Sequence, residues 1–338
     1  MFKEEWKVQA EDKNVPNGHF NTLDHIRKGM FALHKKHQEK EKARLGSVRG
    51  GSAGAIVGGE VMGECARKAH LRSKGIETPL EESITLMTSQ GEKNEDIWIE
   101  ELEAAGLKVK TQGDLKLELP MHGNTFYGSP DIVIVDEKDK PIVGLELKNL
   151  SAITSAKKRH NELMPDVKHL IQSAVYSKTM GDVYKLGKPL PYQLIYSSRS
   201  LWHTFAMPKN AQAALVANPI DVKYQWGKAF NLQPFHRIYY LFWTETGKLG
   251  FETLGKKYIT DITGESIDIF YKAVLIDIEK QKNLGPRPST KDVLGKKAYS
   301  PCNYCDFSDM CDQYENDYDV WIDHCREHAN IKQLEREV

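Results

Sequence analysis

An excess of charge of either sign is missing from this chain. Its 47 lysines and arginines are matched by 47 aspartates and glutamates, for a formal net charge of zero. Whole-molecule charge therefore does not predict a nucleic-acid partner, and any such partner must be held by local patches. Long apolar runs are missing as well. No stretch reaches the roughly eighteen apolar residues of a membrane-crossing helix, and no membrane partner is expected. The opening "MFKEEWKVQAEDK" lacks the apolar core of a secretion signal, so the expected location is the cytoplasm. Internal repeats and long low-complexity tracts are absent. Cysteine is scarce and lopsided: Cys65 stands alone, and Cys302, Cys305, Cys311 and Cys325 follow late. In a reducing compartment, clustered cysteines read as metal or cluster ligands before they read as disulfides.

What is present suffices for a core, since 40% of the 338 residues are apolar. One elaborated domain is the expectation for this length. Residues 1–59 form a peripheral, basic N-terminal segment. Within it, 27–49 carry eight Lys or Arg against two Glu, which suits either a solvated helix face or a basic patch for a phosphate backbone. "GSVRGGSAGAIVGG" reads as a flexible connection. Residues 60–338 form the main domain. Helices are expected at 60–73 and at 83–105 with Gly106 as its stop. Strands are expected at 107–119, 125–135 and 142–148, the last two joined as a hairpin by "DEKDKP". A helix over 163–180 ends at Gly181, and strands "YQLIYS" and "LWHTFAM" follow. Residues 209–260 form an elaboration, with a hairpin turning at Thr246-Gly247. A helix covers 264–283 ahead of the cysteine cluster. This order predicts an α/β fold with a mixed central sheet covered by helices.

The charges around the first hairpin carry the chemistry. In "GSPDIVIVDEKDKPIVGLELKNLS", Glu146 and Lys148 share one face of a strand because side chains alternate. Asp131, on the neighbouring strand, could lie opposite them. Two carboxylates and an ammonium at one end of a sheet suit Mg²⁺ or Mn²⁺. Such an ion stabilises charge on a phosphate and lowers the pKa of bound water. The alternative is a partly exposed hairpin with an ordinary Glu–Lys pair.

Pro130, Asp131, Glu146 and Lys148 resemble the motif of the PD-(D/E)XK nuclease superfamily, whose core has the same order of elements. Gln172 and Tyr176, four apart on one helix face, resemble the Q-x-x-x-Y signature of its RecB-like branch, and Lys168 on the same face is a phosphate-contact candidate. That branch often carries G-x-x-x-H on the preceding helix. Here Gly91 is followed by Glu95, a departure that still offers a carboxylate, with Glu92 as competitor. Arg199 stands where related nucleases often have a basic residue. The resemblance implies a restriction-endonuclease-like fold in which Asp131 and Glu146 ligate the ion, with Glu95 and the Leu147 carbonyl as further ligands. Lys148 would position the attacking water, and Gln172 and Tyr176 would shape the site and steer the strand.

Cys302, Cys305 and Cys311 have C-x2-C-x5-C spacing, and need a fourth ligand that either Cys325 or Cys65 can supply. One cysteine before the core and this triplet after it resemble the iron–sulfur RecB-like nucleases, including the CRISPR-associated Cas-four-like exonucleases. "C-x-R-K" at Cys65, Arg67 and Lys68 resembles the first-cysteine context of that group. The resemblance implies a [4Fe–4S] cluster on Cys65, Cys302, Cys305 and Cys311, stapling N- and C-terminal segments, with Cys325 spare; Zn²⁺ on four cysteines is the competitor. It also implies an exonuclease on single-stranded DNA or DNA ends, with protein partners in recombination, repair or CRISPR adaptation, acting in the host cytoplasm if phage-encoded. The other readings are a non-catalytic DNA-end-binding or adaptor protein on the same fold, and a site-specific endonuclease.

Overall fold

The structure is a computed structural model that describes residues 48–78, 82–115, 117–150, 164–198, 235–292, 295 and 301–337. The expected strand 201–207, Arg199, and most of the basic stretch 27–49 lie outside those residues. The fold is α/β, built on a seven-stranded mixed sheet with helices packed on it.

The chain enters through a short strand, β1 (Val48–Arg49), a 3₁₀ turn at Gly50–Ser52, and a hairpin of β2 (Gly54–Val57) and β3 (Glu60–Gly63). Two expectations are corrected here. The glycine- and serine-rich stretch is not a loose connection within the described residues. Ala53 and Ala55 are fully buried, because small side chains let this backbone press into the core. The helix expected at 60–73 is α1 (Ala66–Ser73) only. Gly63, at φ +86°, ends the hairpin where an added Cβ would meet the Ala53 carbonyl oxygen at 2.8 Å, and Cys65 caps the helix with extended backbone.

Helix α2 (Glu82–Ala104) stops at Gly106, whose φ of +82° is the left-handed conformation that ends many helices. The strand expected at 107–119 is two strands, β4 (Lys108–Thr111) and β5 (Leu117–Met121), with a turn at 112–114 between them. The strand expected at 125–135 is likewise broken, into β6 (Asn124–Gly128) and β7 (Ile132–Val135). Pro130 lacks the N–H that a continuous ladder would need. The break sends β6 into a small sheet of order β1-β6-β5 and β7 into the large sheet. The hairpin from β7 to β8 (Pro141–Asn149) is as expected. Asp136 Oδ1 accepts from the N–H groups of Lys138 and Lys140 at 2.8 and 2.9 Å and fixes its turn.

Helix α3 (Val167–Val183) is capped by Asp166, which accepts from Lys168 N at 3.0 Å. It leads to β9 (Tyr192–Ser198), which pairs parallel with β8. The antiparallel strands β10 (Phe235–Trp243), β11 (Lys248–Thr253) and β12 (Lys256–Thr263) complete the order β12-β11-β10-β9-β8-β7-β4. Gly247 (φ +73°) makes the expected hairpin turn between β10 and β11. A Thr263/Ser266 capping box starts α4 (Gly264–Lys272), which runs through a π-helical turn (Ala273–Asp277) into α5 (Ile278–Gln281). Helices α6 (Ser308–Gln313) and α7 (Tyr318–Glu337) follow. No helix among the described residues is long and apolar enough to cross a membrane.

Strand alternation divides the core. Tyr192, Leu194 and Tyr196 face the larger cluster with Leu170, Ile171 and Ala174 of α3. Leu145, Leu147 and Ile195 face the other way, against Trp98, Ile99 and Leu102 of α2. Gly181 does not end α3. It lets the helix touch the returning chain, since a Cβ there would lie 2.4 Å from the Lys188 carbonyl oxygen. Gly181→Ala would gain about 1 kcal/mol of helix propensity, but crowding against backbone costs about 1–3 kcal/mol. The expected net result is a lower midpoint in chemical denaturation; a raised midpoint would show that the contact is loose.

Candidate active site and cysteine centre

The site is assembled where β4, β7 and β8 end together. Ile132 pairs with Leu145 and Thr111 pairs with Ile132. Extending each register by one residue sets Asp131 across from Glu146 and Gln112 across from Asp131. Asp131 Oδ2 accepts from Leu147 N–H at 2.7 Å, which pins the carboxylate to β8. Glu146 is completely buried, and its Oε1 accepts from Lys148 Nζ at 2.5 Å. Its Oε2 is buried without a hydrogen-bond partner among the described residues. Lys148 holds its ammonium against this acid, with the side chain as a whole 22% exposed. Glu95 arrives from α2. Gln112 Nε2 donates to Glu95 Oε2 at 3.0 Å and approaches Asp131 Oδ1 at 3.4 Å, so one amide spans two acids.

Electrostatics express the crowding. Burial, reinforced by Asp131 and opposed by Lys148, pushes the Glu146 carboxyl up to about 8. Burial and the charges of Asp131 and Glu146 take Glu95 to about 8. Burial raises Asp131 too, against Lys148, the Leu147 N–H and Gln112. Burial alone would lower Lys148, but Glu146 and Asp131 outweigh it and hold its pKa up. Without a cation, protons are the cheapest way to relieve this repulsion.

Gln172 and Tyr176 occupy the adjoining face of α3. Tyr176 is buried; burial raises its phenol, and the nearby Gln172 side chain and Ser129 backbone act against that rise. The pair therefore braces the loop that delivers Asp131. Glycine makes room for it: a Cβ on Gly50 would lie 2.1 Å from the hydroxyl, and one on Gly128 would lie 2.7 Å from the ring. Glu92 is exposed one turn from Glu95. Lys168 is not free for a phosphate as it stands. Its Nζ lies 2.6 Å from Glu64 Oε2, which Arg72 also approaches at 3.1 Å. Burial works to raise Glu64, yet these two cations hold it down to about 2.

The cysteines meet at a second place. Cys65, Cys302, Cys305 and Cys311 line one cavity, together with Arg67 and Lys68. Cys302 lies in a 3₁₀ turn (Pro301–Tyr304) and Cys305 directly follows it, its N–H donating to the Cys302 carbonyl at 3.1 Å. Cys311 lies on α6. Cys325, on α7, is fully buried in the apolar core and does not line the cavity. Burial pushes the Cys65 thiol up to about 12. Polar contacts already join the two distant segments. Arg67 donates to the Gly285 carbonyl at 2.7 Å and to Glu315 at 3.0 Å. His70 Nδ1 donates to the Val274 carbonyl, which can only accept, so Nε2 accepts from the Tyr318 hydroxyl.

Donor chemistry fits the expected groups at both places: oxygen for Mg²⁺ or Mn²⁺ around the orphaned Glu146 Oε2, and thiols for iron–sulfur or zinc at the cavity. As they stand, no three His, Cys, Asp or Glu side chains among the described residues are drawn together closely enough to hold a metal ion. At the first place, the Lys148 contact engages Glu146 Oε1. The Gln112 amide and the Leu147 N–H were not anticipated from the sequence. The signal for Gln112 was its position one residue beyond a strand pairing with β7, legible only once that strand is shortened to 108–111. The chain matches no protein-family model, and comparison with curated proteins and with solved structures yields no significant match.

The two glutamates make metal-free stability depend on pH. Their folded pKa of about 8 lies above the ordinary 4.5. Between these values the folded chain holds protons that the unfolded chain has released, so their contribution to stability is lost as pH rises through that window. In chelator, Glu146→Gln is expected to flatten the fall in stability between about pH 5 and 8 by about 1 kcal/mol or more, read from urea denaturation at several pH values. An unchanged slope would mean that Glu146 is not held protonated.

Proposed function

We propose that this chain is a metal-dependent DNA nuclease of the PD-(D/E)XK type, and specifically an iron–sulfur, RecB-like exonuclease of the Cas-four-like kind acting on single-stranded DNA or DNA ends. One observation carries the reading: Asp131, Glu146 and Glu95 converge with Lys148 at one end of a sheet, and a buried carboxylate oxygen of Glu146 is left without a partner. An ordinary surface ion pair does not need burial, a third acid and an amide spanning two of them.

A bound Mg²⁺ or Mn²⁺ would supply Lewis-acid polarisation of the phosphate and a water of lowered pKa. Asp131, Glu146 and Glu95 are the residues that would hold it, with the Leu147 carbonyl as a further ligand. Lys148, steadied by Glu146, is the group that would orient the attacking water and offset charge growing on the phosphate. Gln172 and Tyr176 hold the 128–131 loop so that Asp131 keeps its place. The four cavity cysteines would take a [4Fe–4S] cluster, joining the helix ahead of the nuclease core to the C-terminal segment. The DNA partner, the restriction-endonuclease-like fold, the cytoplasmic location and partners in recombination, repair or CRISPR adaptation belong to the same reading.

End-labelled single-stranded DNA incubated with Mn²⁺ tests it. The intact chain should degrade the linear strand and spare a circular one, and Lys148→Ala should slow degradation at least about 100-fold. Cutting of the circle would reassign the chain to an endonuclease, and DNA binding without cutting would make it an end-binding protein. Anaerobic purification tests the second centre. A brown protein absorbing near about 400 nm is expected, with colour lost in Cys65→Ser. A colourless protein with one zinc per chain would assign zinc instead.

A further inference from the structure

The mechanism above leaves one buried group beside the carboxylates unused. Tyr192 opens β9 and is only 2% exposed. Its hydroxyl, like Glu146 Oε2, is buried and finds no hydrogen-bond partner among the described residues. The two lie on one face of the sheet. Tyr192 pairs with Gly144 and Leu194 with Glu146 in the parallel register, and paired residues in a sheet project to the same side. The missing Cβ at Gly144 lets the tyrosine ring lie against β8; a Cβ there would be 2.2 Å from Tyr192 Cε2. Glu146 and Asp131 are near enough that, after burial, their charges further raise the phenol pKa. Tyr271 is the useful contrast. Its hydroxyl is also buried and unpartnered, but burial alone perturbs it, with no carboxylate contributing.

A buried polar group without a partner costs about 1–3 kcal/mol. Two of them on one face, one strand apart, one a donor and the other an acceptor, complement each other. We propose that Tyr192 is a positioning residue for the metal site: its hydroxyl donates through one buried water to Glu146 Oε2 and fixes the rotation of that carboxylate. A carboxylate oxygen has two lone pairs, so Oε2 can accept this bond and still ligate a cation. Lys148 would then hold one oxygen and Tyr192 the other, so neither lone contact has to orient the group. Partners of this kind, one step removed from a metal, typically tune affinity 10- to 100-fold. The inference rests on the proposed metal site.

Mn²⁺ binding to the full chain, read by calorimetry and by the Mn²⁺ EPR signal, tests it in three proteins. Tyr192→Phe removes only the hydroxyl and should weaken Mn²⁺ binding about 10-fold without lowering thermal stability. Tyr271→Phe should bind as the unaltered chain does. Equal Mn²⁺ affinity in Tyr192→Phe and the unaltered chain would overturn the inference and leave the metal site standing. Failure of the unaltered chain to bind Mn²⁺ would overturn both. A crystal structure of the unaltered chain gives a reading independent of any variant: an ordered water within hydrogen-bond distance of Tyr192 Oη and Glu146 Oε2 supports the bridge, and its absence overturns it.

Discussion

Mutual repulsion between the buried Asp131 and Glu146, joined by the half-buried Glu95, is the constraint around which this end of the molecule is built. In bulk water three acids at such spacing would ionise at little cost, whereas under a sheet face their interaction grows several-fold. The surrounding chain answers with directed polar groups: the Lys148 ammonium, the Leu147 N–H and the Gln112 amide. It also fixes the loop that carries Asp131, through a tyrosine seated between two glycines. Removing one partner of such a buried set leaves uncompensated charge, which is far more damaging than losing a surface pair. Buried charge elsewhere, as at Glu64, is matched by cations, whereas here three acids share one lysine, and that is what singles the spot out.

The second centre is linked to the first through a helix. Glu64 lines the cysteine cavity, accepts from the Cys65 N–H, and binds Lys168 at the start of α3. Gln172 and Tyr176 follow one and two turns along the same helix face. The residues bracing the Asp131 loop thus belong to an element anchored beside Cys65. Lys168, a phosphate-contact candidate from sequence position, is paired here with Glu64, an acid it shares with Arg72.

Much of this was legible in the sequence, and the limits are physical. Asp131, Glu146 and Lys148 were readable because period-two alternation and a polar turn determine which side chains meet. The first cysteine could be associated with the late triplet only by resemblance, since no local spacing connects residues more than two hundred positions apart. The helix end at Gly106 follows from its local chemistry, whereas α3 begins only after the Asp166 cap, not at the expected 163. The strand breaks at 112–114 and 129–131 are marked only by the short turn-prone pieces Gln-Gly-Asp and Ser-Pro-Asp, and only tertiary placement shows that β6 and β7 part company. The segment 48–59 reads as loose because glycine and alanine mark flexible chain and tight packing alike. Gln112 and Tyr192 act through neighbours that only the register reveals.

The break at Ser129-Pro130 has a consequence for the motif itself. A residue able to donate a ladder bond there would allow β6 and β7 to fuse into one uninterrupted strand. The small sheet would then be spliced onto the large one, and the aspartate would lie mid-ladder instead of at a corner. The proline works as an insulator between two hydrogen-bond circuits, while the acid beside it carries the charge. Two adjacent letters of one short motif thus answer to separate demands, one topological and the other electrostatic.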